Sequence, residues 1–365
     1  MRNRGSKVNI LLIISKNDRY GAQRIFLDQV RILHTMGNRI IVVGRGSEGY
    51  VPDAVRAMGV EYHGFPLKGL GDLCRLRKLV RRCEIDIIHT TLDRADYFGV
   101  LLSLVTRVPV VSTMMVPRYH PGSRFADKVV VLSEKLKKVL LAKGVKQEKI
   151  SLIRPGIDVD RFSHPDSGKR EAWRSKLNRD RYSTVFCHVA SLIPRKGHLV
   201  SLELMAACKK LGENPLLVII GDPLEGDYYQ ALVDAVSRLD LKDNVHFTGW
   251  TADTAEIISL CHVTLLPSEN EALGIVLMEG MAAGTPIVAR EGEGGAELVE
   301  EYGTGFLYSA REDISVLAEK IAALRRDRTG FKALSDDCGN KAKDFFSMKS
   351  FGENLMELYR AAGTP

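Results

Sequence analysis

Short runs of β-branched and aliphatic residues alternate with helical stretches along this chain, and this alternation limits the fold more than any other feature. Such alternation favours parallel sheets covered by helices on both faces. The predicted strands of the first part are Val8–Ile14, Arg39–Val43, Ile85–His89, Val108–Thr113, Lys128–Leu132 and Ile150–Ile153. After a polar segment at residues 163–170 the pattern restarts, with strands predicted at Thr184–Ala190, Leu216–Ile220, Val245–Phe247, Val263–Leu266 and Pro286–Ala289. We therefore predict an α/β fold with two doubly wound sheets.

The restart of the pattern indicates two domains. A chain of 365 residues is long enough for two domains that each bury a core. The sequence places the boundary near residue 165, with one domain at residues 1–165 and a second at residues 166–345. In doubly wound sheets ligands bind beyond the carboxyl ends of the strands, and two facing domains form a cleft.

The charge is distributed unevenly between the two predicted domains. Residues 1–165 contain 29 Lys and Arg against 15 Asp and Glu, a net of +14. The remainder contains 23 against 30, a net of −7, and the two sum to the overall +7. A basic domain suggests an anionic partner, such as nucleic acid, anionic lipid or a phosphorylated glycan. Ordinary surface charge is the alternative, and the chain shows no nucleic-acid-binding module, so we expect no nucleic acid partner.

One segment of the basic domain, residues 73–83, predicts an amphipathic helix whose polar face carries five Arg and Lys residues. Such a helix can lie on an anionic membrane surface. The alternative is a helix that covers the sheet and turns its polar face to water. The six cysteines show no metal-ligand spacing, and no apolar run approaches the ~20 residues of a membrane span. We expect a cytoplasmic protein, with peripheral contact at the inner face of the cell membrane as a hypothesis.

Two glutamates interrupt the apolar and small-residue stretch SENEALGIVLMEGMAAGTP at residues 268–286. The stretch predicts a helix that starts at Gly274, so that Glu271 lies just before the helix and Glu279 lies inside it. The N–H groups of its first turn, at Gly274, Ile275 and Val276, form an anion site. Carboxylates accept hydrogen bonds from diols, so a nucleotide sugar would suit this arrangement. The alternative for Glu279 is a buried carboxylate with a structural partner.

This segment, extended to PSENEALGIVLMEGMAAGTPIVAREGEGGAELV, resembles the signature of the retaining GT-B glycosyltransferases of family 4, also called glycosyl transferases group 1. The resemblance covers nearly the whole chain. It continues at residues 20–24 (YGAQR), 153–162 (IRPGIDVDRF), 194–197 (PRKG), 219–222 (IIGD) and 245–249 (VHFTG). It implies the GT-B architecture, with two Rossmann-like domains that face each other across a cleft. It also implies that the last helix, within residues 346–365, crosses back to an acceptor-binding N-terminal domain, while residues 166–345 bind the donor.

The resemblance implies roles for individual residues. Glu279 would hold the ribose hydroxyls of the donor, and Glu271 would contact the transferred sugar. Arg195 and Lys196 would stabilise the negative charge of the leaving nucleoside diphosphate. Fixed cations can do this without a metal ion. Gly21 would allow the turn after the first strand to approach the diphosphate closely, although a plain tight turn is the alternative.

The chain also departs from the family pattern at two places. Ala190-Ser191 stands where many members have an arginine, and Met114 or Met115 stands where many have a histidine near the reacting sugar. His89 and His120 are candidates to line the acceptor cleft instead. The alternative for His89 is a histidine at a strand end whose hydrogen bonds are satisfied within the fold. The alternative for His120 is an exposed loop histidine. No general base is assigned.

Asp158-Val159-Asp160 spells D-x-D, but it falls in a turn that is structural in the family. We therefore expect no metal and no other cofactor. The expected activity is retaining, metal-independent transfer of a hexose-type sugar from a nucleotide-diphosphate sugar, UDP being favoured. The expected acceptor is an anionic glycan or lipid-linked molecule, such as lipopolysaccharide or another cell-surface polysaccharide precursor. The alternatives are a catalytically silent GT-B partner or binding subunit, and a GT-B epimerase acting on the nucleotide sugar.

Overall fold

The computed structural model describes residues 7–117, 119, 121–223, 226–309 and 314–363. The chain divides into two compact units. The first unit contains residues 1–156 and 348–365, and the second contains residues 157–347. Each unit is built around its own parallel sheet, and the predicted α/β class with two doubly wound sheets is confirmed.

In the first unit the described residues form a seven-stranded parallel sheet with the order β3-β2-β1-β4-β5-β6-β7. The interior strand β1 is fully buried from Ile10 to Ile14, as expected for a sheet covered on both faces. The strands are β1 (Asn9–Ile14), β2 (Arg39–Gly44), β3 (Glu61–Gly64), β4 (Ile87–Thr91), β5 (Val110–Met114), β6 (Lys128–Val131) and β7 (Ile150–Leu152). The helices are α1 (Gly21–Thr35), α2 (Tyr50–Ala57), α3 (Leu70–Arg82), α4 (Asp93–Thr106) and α5 (Glu134–Ala142).

In the second unit the described residues form a six-stranded parallel sheet with the order β10-β9-β8-β11-β12-β13. Buried apolar side chains of β8, β9 and β11 form a core cluster with buried side chains of the helices that pack on the sheet. The strands are β8 (Thr184–Val189), β9 (Pro215–Ile220), β10 (Val245–Gly249), β11 (Val263–Leu266), β12 (Ile287–Arg290) and β13 (Gly305–Tyr308). The helices are α6 (Val159–Ser163), α7 (Ser167–Lys176), α8 (His198–Lys210), α9 (Gly226–Arg238), α10 (Thr254–Ile258), α11 (Ile275–Ala282), α12 (Ala296–Tyr302), α13 (Ile314–Arg326) and α14 (Arg328–Phe345).

The boundary between the units falls at Gly156 rather than near the predicted residue 165. Ile157 donates its backbone N–H to Phe346 O over 2.8 Å, and α6 packs against α11 and α14. Residues 157–165 therefore belong to the second unit. The polar segment that suggested the boundary begins at Ser163, so it lies inside this unit.

The last helix, α15 (Met348–Ala362), packs on α1 in the first unit. Its stripe of Phe351, Leu355 and Tyr359 is buried, as the sequence predicts. The chain therefore returns to the first unit at its end.

Two strands were not predicted, β3 and β13, and both lie at the edge of a sheet. Their residues are half-buried or exposed, whereas the strands next to them are almost wholly buried. An edge strand has one open side, so it needs no continuous apolar run, and its sequence carries a weak signal. Within the described part of the chain, no helix is both long and apolar enough to cross a membrane.

Candidate functional site

The loop that follows β8 carries the first group of predicted site residues. Pro194–Lys196 form a single 3₁₀ turn, and Gly197, the N-cap of α8, follows with φ of +75°. A Cβ atom at position 197 would lie 2.3 Å from the backbone oxygen of Pro267. Glycine is therefore required here twice, for the left-handed backbone and for the close approach of the neighbouring loop. This approach brings Arg195 and Lys196 beside the loop that follows β11.

The loop after β11 carries the second group, and it leads into α11. Gly274, the predicted start, is the N-cap of α11 with φ of +83°, and the helix begins one residue later, at Ile275. The first backbone N–H groups of an α-helix have no partner within the helix, and they are the positive end of its dipole. The start of α11 at the carboxyl end of β11 is therefore suited to an anion.

Lys196 and Glu271 join the two loops through an ion pair. Lys196 Nζ lies 2.6 Å from Glu271 Oε2, and both side chains are 16% exposed. The backbone reinforces the junction, because Glu269 donates its N–H to Arg195 O over 2.7 Å. The Arg195 side chain is exposed. The structure thus brings together the predicted residues Lys196 and Glu271, and Arg195 joins the same two loops through its backbone.

Glu293 and Gly294 hold the backbone of Glu271 in place, a role that was not predicted from the sequence. Glu293 Oε2 accepts the N–H of Glu271 over 2.6 Å, and the N–H of Gly294 donates to Glu271 O over 3.1 Å. A Cβ atom at position 294 would lie 1.9 Å from Ala272 O, so only glycine allows this contact. The sequence did contain an indication of this close contact, the pair Gly294-Gly295 that follows β12.

Glu279 lies in the second turn of α11 and is 2% exposed. The helix packs closely behind it, because a Cβ atom at Gly280 would meet Thr264 Oγ1 at 2.5 Å. The carboxylate is therefore held on a rigid, buried element. Gly274, Ile275, Val276 and Glu279 lie on one continuous segment, as the sequence predicts.

Two buried histidines stack behind the Arg195–Gly197 loop. His188 is the penultimate residue of β8 and His198 is the first residue of α8. Their ring centroids are 4.1 Å apart, with the planes 7° from parallel. Both are fully buried, and burial lowers the pKa of His198 to about 4. Burial and the neighbouring His198 also lower the pKa of His188. The pair is therefore neutral at physiological pH.

The remaining predicted residues belong to the first unit. Gly21 begins α1, and a Cβ atom there would meet no other atom within 4 Å. The fold itself therefore does not demand glycine at this position, and its role toward a ligand stays a prediction. His120 lies outside the described residues. Met114 and Met115 are buried.

His89 is 1% exposed, in the core of the first unit. Its Nδ1 lies 2.6 Å from the Tyr359 hydroxyl and 2.8 Å from Gln29 Nε2, and its Nε2 lies 2.6 Å from Thr113 Oγ1. Burial lowers the pKa of His89 to about 3, so the ring is neutral. Both ring nitrogens are engaged within the core, and this favours the structural alternative over a residue that lines an acceptor cleft.

The Asp158-Val159-Asp160 motif caps a helix. Asp158 Oδ1 accepts the N–H of Arg161 over 3.2 Å at the start of α6. Among the described residues, no group of three or more His, Cys, Asp or Glu side chains is arranged to hold a metal ion.

Two family models match this chain. Residues 169–345 match Glycosyl transferases group 1, and residues 20–161 match Glycosyltransferase Family 4. The two matched ranges include all the predicted site residues of both units.

Individual proteins are similar to this chain over different lengths. An Escherichia coli UDP-Gal:alpha-D-GlcNAc-diphosphoundecaprenol alpha-1,3-galactosyltransferase is 25% identical, over 98% of each chain. The lipopolysaccharide glucosyltransferase WaaG of Escherichia coli K12 is 32% identical over 39% of this chain and 37% of its own. The crystal structure of Anabaena HepE in complex with UDP has a TM-score of 0.87 and 22% identity, and the match covers 97% of this chain and 100% of HepE. This last likeness confirms the predicted fold.

Proposed function

The chain belongs to glycosyltransferase family 4 and has the GT-B fold, and we propose that it transfers a sugar from a nucleotide-diphosphate sugar with retention of configuration. The observation that carries the proposal is the Lys196–Glu271 ion pair beside the start of α11, with Glu279 buried in the same helix. This arrangement offers cations and helix N–H groups for a diphosphate, and carboxylates for hydroxyl groups on either side of it.

The donor is proposed to lie along this segment of the second unit. The diphosphate would accept hydrogen bonds from the first turn of α11 at Gly274, Ile275 and Val276. Glu279 would accept hydrogen bonds from the ribose diol, and Glu271 would do so from the transferred sugar. Gly21 is also proposed to contact the donor diphosphate.

The reaction that we propose breaks the bond between the anomeric carbon and the diphosphate oxygen. An acceptor hydroxyl oxygen forms the new bond on the same face, and the leaving diphosphate takes the acceptor proton. Negative charge grows on the diphosphate as the bond breaks, and fixed cations at Lys196 and Arg195 would stabilise it in the transition state. The proposal needs neither a metal ion nor a further cofactor.

UDP is the proposed nucleotide. The Escherichia coli relative that aligns over nearly the whole chain is named for UDP-Gal, and HepE was crystallised with UDP. A hexose is the proposed sugar.

The Escherichia coli relative is also named for a diphosphoundecaprenol-linked acceptor, and WaaG is named for lipopolysaccharide. We propose a lipid-linked or lipopolysaccharide-type acceptor on these grounds, with the first unit as the acceptor-binding domain.

Peripheral contact with an anionic membrane, on the cytoplasmic side, is part of the proposal. The apolar residues Leu76, Leu79 and Val80 of α3 face the core, and its five Arg and Lys residues are exposed. The neighbouring helix α4 exposes a row of apolar side chains. These are Tyr97, Leu101, Leu104 and Val105, and Leu104 is 74% exposed. A basic helix beside an exposed apolar one suits an anionic lipid surface.

Vesicle flotation at low salt tests the membrane contact. The Leu101→Ser/Leu104→Ser variant should float less with anionic vesicles than the wild type does. Leu199→Ser, at an exposed leucine of the second unit, is the matched control and should float like the wild type. A wild-type protein that does not float with anionic vesicles would remove the membrane part of the proposal.

The transfer itself is tested by incubating UDP-hexoses with a lipid-diphosphate-linked sugar acceptor in the presence of EDTA. The expected result is UDP release that depends on the acceptor, and an NMR spectrum of the product with the anomeric configuration of the donor. Conversion of the donor to an epimer without acceptor would replace the proposal with an epimerase. Absence of both donor turnover and donor binding would favour a silent partner subunit.

A further inference from the structure

A cluster of arginines surrounds His262 at the amino-terminal edge of the second sheet. His262 immediately precedes β11, and Arg179 lies in the 3₁₀ turn shortly before β8. Lys196 and Glu271 follow the carboxyl ends of these same two strands, so the cluster lies at the other end of β8 and β11. Arg325, near the end of α13, completes the cluster.

The hydrogen bonds of His262 show which of its ring nitrogens carries the proton. The backbone N–H of Val185 donates to Nδ1 over 2.9 Å, so Nδ1 has no hydrogen. Burial, followed by the charges of Arg325 and Arg179, lowers the pKa of His262 to about 3, and the ring is neutral. A neutral imidazole has one N–H, which must therefore be on Nε2.

Nε2 faces two further donors. Arg179 Nη2 lies 2.5 Å from it and Arg325 Nη2 lies 3.0 Å from it. Three N–H donors thus converge with no acceptor between them. With the proton on Nδ1 instead, the Nδ1–H and the Val185 N–H would face each other, and two donors would again lack an acceptor. Arg325 Nε is also buried without an acceptor among the described residues.

Arg325 also lines an open cavity of about 510 Å³. Its other lining residues are Ser183, Thr184, Glu213, Arg326, Arg328 and Phe331. Phe331 supports the Arg325 guanidinium, whose central carbon is 4.2 Å from the ring centroid. The cavity is therefore lined by three guanidinium groups, those of Arg325, Arg326 and Arg328.

The charges of this cavity do not balance. Arg326 pairs with Glu213 over 2.9 Å. Arg325 and Arg328 make no ion pair within 4.0 Å among the described residues, so two positive charges remain. Burial lowers the pKa of Arg325, and the charge of Arg179 adds to this effect. An anion that entered the cavity would relieve the charge repulsion and would offer acceptors to the Arg325 guanidinium.

We propose that this cavity binds a phosphate dianion, either inorganic phosphate or a phosphate monoester, held by Arg325 and Arg328 with Arg179 behind them. Guanidinium groups match phosphate oxygens in pairs, and two uncompensated cations match a dianion. The site is separate from the proposed donor site, and its binding test does not depend on the transfer reaction.

Calorimetric titration of the whole chain with sodium phosphate at neutral pH, in NaCl buffers of constant ionic strength, tests the site. The wild type should bind phosphate, and Arg328→Gln and Arg325→Gln should each weaken binding at least tenfold. Arg325→Lys keeps the positive charge but loses the planar guanidinium that can bind two phosphate oxygens, so it should also weaken phosphate binding. Arg238→Gln, an exposed arginine of α9 that does not line the cavity, should bind like the wild type.

Two comparisons keep the result interpretable. Lys196→Ala removes a proposed donor-site cation, and it should leave phosphate binding at the cavity unchanged. Loss of binding in Lys196→Ala with retention in Arg325→Gln and Arg328→Gln would overturn the proposal, as would no binding by the wild type. Arg328 is exposed, so its variant tests the site even if Arg325→Gln does not fold. A parallel titration with glucose 6-phosphate tells a monoester site from one for inorganic phosphate, and tighter binding of either supports the proposal.

Discussion

Lys196 Nζ lies 2.6 Å from Glu271 Oε2, and this ion pair joins the loops that follow β8 and β11. Because both side chains are only 16% exposed, each charge relies on the other. A bound nucleotide sugar would offer both of them new partners, the diphosphate for Lys196 and sugar hydroxyls for Glu271. The ion pair is therefore expected to loosen when the donor binds and to be restored when the products leave.

Replacing Lys196 should impair the reaction more than it impairs donor binding. Lys196→Ala is expected to lower kcat by about 100-fold or more, the usual cost of removing a group that stabilises transition-state charge, with a smaller change in donor affinity. Steady-state kinetics and calorimetry measure the two effects. Lys209→Ala, which breaks the exposed ion pair with Asp240, is the matched control. Wild-type turnover in Lys196→Ala would exclude this lysine from the mechanism.

Glu279→Gln should weaken nucleotide-sugar binding while the fold stays intact. A hydrogen bond to a charged group is worth about 1.5–3 kcal/mol, so the affinity should fall by roughly ten- to one-hundred-fold. Glu256→Gln is the control, because Glu256 is also buried in the second unit, at 7% exposure, but lies on α10. Calorimetry with the nucleotide sugar gives the answer, and unchanged affinity in Glu279→Gln would show that the ribose is bound elsewhere.

Gly294→Ala should disturb the backbone around Glu271. The added Cβ atom would lie 1.9 Å from Ala272 O, so the loop must move. We expect lower turnover together with a lower melting temperature. Gly226→Ala should be close to neutral, because a Cβ atom there meets nothing within 4 Å. A Gly294→Ala enzyme as active and as stable as the wild type would contradict the importance of this contact.

Acid should destabilise the first unit through His89. Burial lowers the pKa of His89 to about 3, below the ~6.5 of an unfolded chain. The contribution to stability is complete above pH ~6.5 and is lost as the pH falls toward the folded value, with about 2 kcal/mol lost by pH ~5.

Chemical unfolding across this pH range measures the effect. His89→Gln should be less stable than the wild type at neutral pH but should lose less stability on acidification. His34→Gln, at an exposed histidine of α1, should keep the wild-type pH dependence. An unchanged pH dependence in His89→Gln would show that other groups determine the acid response.

Much of the site in the second unit could be predicted because several of its residues lie close together in the sequence. Gly274 and Gly284 delimit α11, and both have the positive φ that makes glycine a clear signal. The Glu293 contact with the backbone of Glu271 could not be predicted, since it joins residues 22 apart in a register that the sequence does not show. The partners of His89 were hidden for the same reason, because Tyr359 is 270 residues away. The arginine cluster at His262 likewise combines residues from separate elements.

The most direct measurement is a calorimetric titration of UDP, GDP, ADP and CMP into the wild-type chain, with and without EDTA. We expect UDP to bind, with an affinity that EDTA does not change. If none of the four nucleotides binds, the donor site assigned to Lys196, Glu271 and Glu279 is wrong. The chain would then be a member of the family that does not act on a nucleotide sugar by itself.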